Sequence, residues 1–417
     1  MNSLGQFWLA GAKVFDLPRR LRGLSDHRCD PKIPPAVLFT TLLLGALLRV
    51  PSFLQLQKET ARRGIQRLLS WSRRLSDDAL AYGAEHADLE ALRGLLVAVN
   101  RTLKQNKAFE TAKINGLLVV AIDANEQFSS RARCCPDCSQ RQIKITAENG
   151  PVEEVTEYYH RHVYAQLHGP QFSVILDLEP IRPGEEEAQA ALRLLGRLRR
   201  LYGPRFFDAI TVDAWYTKGP FILAVQKLGW GVVTVLKQER FEVYQEATAL
   251  TQNQTPRHWQ WQARTIDSWE INDLTFTEVR GPVRVVLAEE NWSEVKRVGG
   301  QRRVQAKHAS WRWMATEELA GYSQQVVWRI GHQRWGVENH AFNELTQYYH
   351  LEHCPHHEPV AIVAWLLILV LGFGLFEWFV RVHGKLWRQG TVSLLELAKQ
   401  LDRASERWEE LQPLWSG

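Results

Sequence analysis

The chain has 417 residues, 45% of them hydrophobic, and a formal net charge of only +5. That length allows two or three domains around a large buried core, and the composition is that of a soluble globular protein. Net charge alone therefore gives no case for a nucleic-acid partner. Five cysteines, an odd number in a long chain, do not have the look of a disulfide framework. The N-terminus lacks the charged-then-apolar pattern of a secretory signal, so a reducing cytoplasm is the expected compartment.

Residues 1–112 read as a helical region. Apolar groups recur at helical spacing through Val37–Leu48 and Leu89–Leu103, and Ser76-Asp77-Asp78 has the capping hydroxyl and early acids of a helix start. Arg62, Arg63 and Arg67 lie in a basic stretch between Arg49 and Arg74 that contains a single acid, Glu59. Such a stretch can neutralise phosphates, and a merely solvated helix face has the same composition.

The pattern changes at Leu117. Leu117–Ile122 is a short apolar run that ends in Asp123, as a buried strand would. Further strands are expected at His162–Leu167, Phe172–Leu178, Ala209–Val212 and Gly231–Leu236, with helices over Gly184–Tyr202 and from Asp213 to Leu228. That order, over residues 113–240, predicts a mixed sheet with helices packed on its faces. From Phe241 to about residue 313 the helical period disappears. Short alternating stretches and a Gly299-Gly300 pair, flanked by Arg297, Arg302 and Arg303, predict a β-rich insertion with a cationic hairpin. Helical periodicity returns over residues 314–417. There Val360–Phe376 is an unbroken apolar run at the short edge of what can span a bilayer. It reads as a helix buried on all sides, with a membrane anchor as the alternative.

Two aspartates, Asp123 and Asp213, each end a hydrophobic strand, and Glu338 stands on a later helix. One aspartate after a strand is ordinarily a turn or cap residue. Three ordered carboxylates suit magnesium, an oxygen-seeking ion that keeps several waters. Arg334 and Glu338 are four residues apart and share a helix face, where an arginine can orient a carboxylate or hold a phosphate.

The word Arg334-Trp335-Gly336-Val337-Glu338-Asn339, continuing to Leu345, resembles the signature around the catalytic glutamate of insertion-sequence DDE transposases. The blocks Tyr348–Cys354, Thr211–Tyr216 and Val120–Asp123 resemble the same family, as does the order of elements. The resemblance implies an α/β, ribonuclease-H-like catalytic domain with an N-terminal helical region and a β-rich insertion. It implies an enzyme that cuts transposon ends and joins them to target DNA, with Asp123, Asp213 and Glu338 holding two magnesium or manganese ions. It also implies DNA as partner, a homodimer on DNA, and no membrane. Arg334, Lys237, Arg297, Arg302, Arg303, Arg62, Arg63 and Arg67 are the candidate DNA contacts. Many relatives carry a tyrosine three residues before the arginine and a lysine two turns after the glutamate; here those places hold Gly331 and Leu345-Thr346. A transposase-derived DNA-binding protein without catalysis is accordingly the second reading.

A Cys135-Pro136-Asp137-Cys138 knuckle is followed by His160 and His162, a donor set that suits a structural zinc ion. The alternative is a reduced, buried cysteine cluster with His160 in a strand. The group His353-Cys354-Pro355-His356-His357 reads instead as a helix cap and turn.

Overall fold

A computed structural model of the protein describes residues 3–146, 152–169, 172–298, 301–336 and 342–383. Seven helices come first: α1 (Ser3–Phe15), α2 (Leu17–Arg22), α3 (Pro35–Leu47), α4 (Phe53–Glu59), α5 (Arg63–Leu68), α6 (Asp77–Glu85) and α7 (Leu89–Gln105). Strands β1 (Val119–Ser130), β2 (Ser139–Thr146), β3 (Val152–Gly169) and β4 (Phe172–Pro180) follow. Next come α8 (Glu187–Tyr202), β5 (Ala209–Val212), α9 (Gly219–Lys227), β6 (Gly231–Val235) and α10 (Glu242–Thr251). Strands β7 (Arg257–Trp261), β8 (Arg264–Leu274), β9 (Val283–Val298) and β10 (Gln301–Ala315) precede α11 (Gln324–Gly336), α12 (Asn343–Tyr349) and α13 (Pro359–His383). A mixed sheet flanked by helices, an N-terminal helical region and a β-rich insertion are the fold class the sequence predicts. The chain divides into two compact units, one of residues 1–112, 124–194 and 338–417, the other of residues 113–123 and 195–337.

In the first unit, helix starts follow local chemistry. Ser76 caps α6 by accepting from the Ala79 N–H at 3.2 Å, and Asp88 caps α7 by accepting from the Ala91 N–H at 3.0 Å. Helix α13 is long and apolar enough to cross a membrane by length and composition, yet 89% of its most apolar window is buried by protein. It packs against α3, α6, α7 and β4. Edge-to-face ring pairs Phe7–Phe379, Phe15–Trp378 and Phe53–Trp365 line this core. Gly372 permits the close crossing with α3, since a Cβ there would stand 3.0 Å from Ala46 Cβ. Helix α3 is apolar all round for the same reason, and its Thr41 hydroxyl is satisfied by donating to the Val37 carbonyl at 2.7 Å. Glu377, the residue that ends the apolar run, is buried with Arg49, Glu344 and Tyr349. Strand β3 pairs antiparallel with β2 through its first half and with β4 through its second.

In the second unit the strand order is β1-β5-β6-β10-β9-β8-β7. The pairs β1–β5 and β5–β6 are parallel and the others antiparallel. The expected cationic hairpin is the long β9–β10 ladder, which runs from Arg284↔Ala315 out to Val298↔Gln301. Helix α11 packs over β5, β6, β8, β9 and β10, burying Val326, Val327, Trp328 and Ile330 in the core.

Three elements differ from expectation. Helix α10 interrupts the β-rich stretch, because Val243 and Ala247, four residues apart, give one turn-to-turn apolar stripe to bury. Strand β1 runs on past Asp123 to Ser130, and β2 is an additional strand; that extension and β2 are mostly polar and carry no continuous apolar run.

Candidate active site

Parallel pairing of β1 with β5 sets Val119, Val120 and Ala121 opposite Ala209, Ile210 and Thr211. Continued two residues, that register brings Asp123 level with Asp213 where the parallel β1–β5 pairing ends, about 5 Å apart in backbone spacing, with Asp213 just past the carboxyl end of β5 and β1 continuing to Ser130. Carboxyl ends of parallel strands are where an open sheet presents its functional groups. Asp213 Oδ1 accepts from the Trp215 N–H at 2.8 Å and so caps a single 3-10 turn, Ala214–Tyr216. A carboxylate has two oxygens, and capping through one is compatible with ligation through the other. The Asp213 carbonyl accepts from Thr234 Oγ1 on β6 at 3.0 Å, and that hydroxyl lies 2.7 Å from Thr217 Oγ1. Two buried threonines thereby hold the backbone of the loop that carries the acid.

Arg334, near the end of α11, reaches across to Asp123: Nη1 stands 3.4 Å from Oδ2, with 9% and 14% of the two side chains exposed. The guanidinium expected to serve the helix face is thus directed at the first aspartate of the sheet. Glu338 lies outside the described residues, as does the side chain of Arg297.

Sequence reasoning missed the support beneath α11. Glu290 on β9 is fully buried and accepts from Trp328 Nε1 at 2.8 Å, His332 Nε2 at 2.6 Å and Arg264 Nη1 at 2.6 Å. Burial works to raise its pKa, but those donors outweigh it and hold the carboxyl below the ordinary glutamate value. Gly331, the departure from the family pattern, faces the buried indole of Trp313: a Cβ would stand 2.2 Å from its Nε1. The indole fills the space that a side chain at this position would need. No local sequence word links residues 313 and 331, so neither contact could be read from periodicity.

The remaining cations are spread over both units. In the second, Lys237 is exposed just beyond β6, and Arg302 and Arg303 are exposed on β10, across the ladder from Arg297 and Lys296. In the first, Arg62, Arg63 and Arg67 are exposed around α5, and Arg62 pairs with Glu59 at 3.0 Å.

The knuckle cysteines lie in the first unit. Cys135, Cys138 and His160 come together there, but the fourth donor is His357 and not His162. His162 shares the strand face of His160, but two residues farther along β3 it is buried and its Nδ1 is hydrogen-bonded to Gln127 Oε1 instead of meeting the thiols. Burial, and then neighbouring His357, push the His160 pKa down to about 4; burial raises both thiols. The His353–His357 group is a turn as expected, with Glu358 capping α13 through the Ala361 N–H at 2.8 Å, yet it also supplies a donor.

Residues 157–372 match the transposase DDE domain family. The chain belongs to that family. Asp213 and Glu338 fall inside the matched stretch of this DDE transposase, whereas Asp123 precedes it. No curated protein sequence matches the chain. Among solved structures, it is similar to a piggyBac transposase in a synaptic complex with hairpin DNA, at 13% identity and a TM-score of 0.39, covering 89% of this chain and 72% of that one.

Proposed function

We propose that this DDE transposase is an active enzyme that cleaves transposon ends by phosphodiester hydrolysis and joins them to target DNA by transesterification. The reading is carried by the β1–β5 register, which sets Asp123 and Asp213 abreast, with Arg334 beside the first of them. Asp123, Asp213 and Glu338 would hold a pair of magnesium or manganese ions. The two aspartates fit such ions in kind, being hard oxygen donors on neighbouring strands. When bound, a metal pair activates the attacking oxygen and stabilises the leaving one. Arg334 orients Asp123 and brings a positive charge to where a phosphate would approach. The Thr234 and Trp215 hydrogen bonds hold Asp213 at the strand end, so that its position is set before DNA arrives.

Arg62, Arg63, Arg67, Lys237, Arg297, Arg302 and Arg303 would neutralise phosphates, which makes DNA affinity fall as salt rises. A dimer bridging two ends and a cytoplasmic setting belong to the same reading. The second reading, a DNA-binding derivative without catalysis, is favoured by Gly331 and by the Leu345-Thr346 pair. Purified wild-type protein and Asp213→Asn are compared on DNA carrying the element's own ends, with magnesium. Wild type should nick the ends, and the variant should lose at least about a hundredfold in rate, since even groups outside the ligand set of a metal site are worth about ten- to a hundredfold. Equal cutting by both proteins removes Asp213 from the active site; no cutting by either favours the second reading.

A further inference from the structure

We infer that Cys135, Cys138, His160 and His357 form a structural zinc site that clasps the β-hairpin region to the turn preceding α13. All four ligand atoms lie within 4.8 Å of one another. Zinc binds sulfur at about 2.3 Å and imidazole nitrogen at about 2.0–2.1 Å, so a tetrahedral site has edges of roughly 3.8 Å between sulfurs, 3.5 Å between sulfur and nitrogen and 3.3 Å between nitrogens. The sulfurs of Cys135 and Cys138 are 3.7 Å apart. His160 Nε2 is 3.3 Å from each of them, and His357 Nε2 is 3.2 Å from Cys138 Sγ. The two imidazole nitrogens face each other at 3.1 Å. Five of the six edges are within about 0.3 Å of the tetrahedral value, and the sixth, between Cys135 and His357, lies within the 4.8 Å span of the group, so His357 must draw in slightly to close the site.

Hydrogen bonding within the group does not explain this convergence. Each pair can share at most one proton, yet Cys138 Sγ and His160 Nε2 each lie within 3.7 Å of all three other ligand atoms. The knuckle itself is shaped for a thiolate: the Cys135 N–H donates to Cys138 Sγ at 3.3 Å and the Cys138 N–H to the Cys135 carbonyl at 3.1 Å. Soft thiolates with imidazoles select zinc over the hard ions of a carboxylate site. Four protein ligands leave no open position, so the site is structural.

Its donors come from three segments, with His357 lying 219 residues from Cys138. The turn containing His357 is also held by its neighbour His356, whose Nε2 lies 2.6 Å from Glu85 Oε1 on α6. The ion would therefore fix the start of α13 against the strands, which no contiguous stretch of sequence can do.

The full-length protein, purified without chelator, is assayed for metal by elemental analysis and for affinity by competition between zinc chloride and a chromophoric chelator. One zinc per chain is expected. His357→Ala should weaken binding by at least about a hundredfold, since even outer groups around a zinc site are worth ten- to a hundredfold, whereas His162→Ala should retain the metal. Replacement by cobalt(II) should give the intense visible absorption of a tetrahedral thiolate site. Folding of each variant is checked by circular dichroism, and the cobalt spectrum of the wild type reads the site without any substitution. Wild-type protein that neither contains nor takes up zinc, or metal that survives His357→Ala but is lost with His162→Ala, overturns the assignment.

Discussion

Replacing Gly331 by alanine should destabilise the protein, although glycine-to-alanine changes inside a helix ordinarily stabilise by about 1 kcal/mol. The reason lies in Trp313. An added Cβ would stand 2.2, 2.4 and 2.6 Å from three atoms of its indole, where carbon contacts normally settle near 3.5–4.0 Å. The ring must retreat by about 1 Å or α11 must lift, and Trp313 has little room. It is 1% exposed, its backbone pairs with Val235 on one side and Val286 on the other, and its ring stacks on Trp311 at 5.8 Å. Overpacking of this kind costs about 1–3 kcal/mol. In a Trp313→Leu background the obstruction is gone and the helix preference should reappear, so the same change should become neutral or favourable by up to about 1 kcal/mol. The four proteins of this double-mutant cycle are unfolded in urea. A coupling energy on the order of 2 kcal/mol is expected, near the upper part of what contacting residues show. An alanine variant more stable than wild type, or an identical effect in both backgrounds, would refute the packing argument.

Two buried carboxylates should give opposite pH responses. Glu290→Ala strands the donors of Trp328, His332 and Arg264 and should cost about 3 kcal/mol, measured by chemical denaturation. Because the folded-state pKa of Glu290 is depressed, its contribution is present above the ordinary value of 4.5 and is lost as pH falls through the folded value. Glu377 behaves in reverse: burial and then neighbouring Glu344 raise its pKa to about 8, with Arg49 opposing. The folded state then binds the extra proton, so stability declines as pH rises from about 4.5 to about 8. Glu377→Gln should remove that decline and stabilise the protein at the alkaline end by on the order of 3 kcal/mol. Melting temperatures across that range provide the check, and parallel curves for wild type and variant would contradict it.

The features legible in the sequence are those that a short window encodes. Apolar runs ending in Asp123 and Asp213 announce two buried strands, and Ser76-Asp77-Asp78 announces a cap that the Ala79 N–H completes. Their adjacency is a matter of register, set by pairing across 90 residues, and only the folded sheet supplies it. His160 was accessible as half of a knuckle-and-strand pattern. His162 looks equivalent because residues two apart share a strand face, and the sequence does not say how far along that face the thiols lie. His357 was hidden in a word that also serves as a turn and a helix cap. The Trp313–Gly331 contact illustrates the remaining kind of difficulty, in which a departure from a family pattern is explained by a side chain on another element.

The partnership of α3 with α13 has a consequence for how the protein is made. Roughly 300 residues separate the two helices, and translation at about 5–20 residues per second takes about 15–60 s to cover that distance. Throughout that interval a helix that is apolar on every side has left the ribosome without its permanent neighbour. Early release of the nascent chain before Pro359 would leave that surface bare for good. Until α13 emerges, α3 is covered by its N-terminal neighbours α2, α4 and α6, and the part of its surface that α13 buries stays open to aggregation.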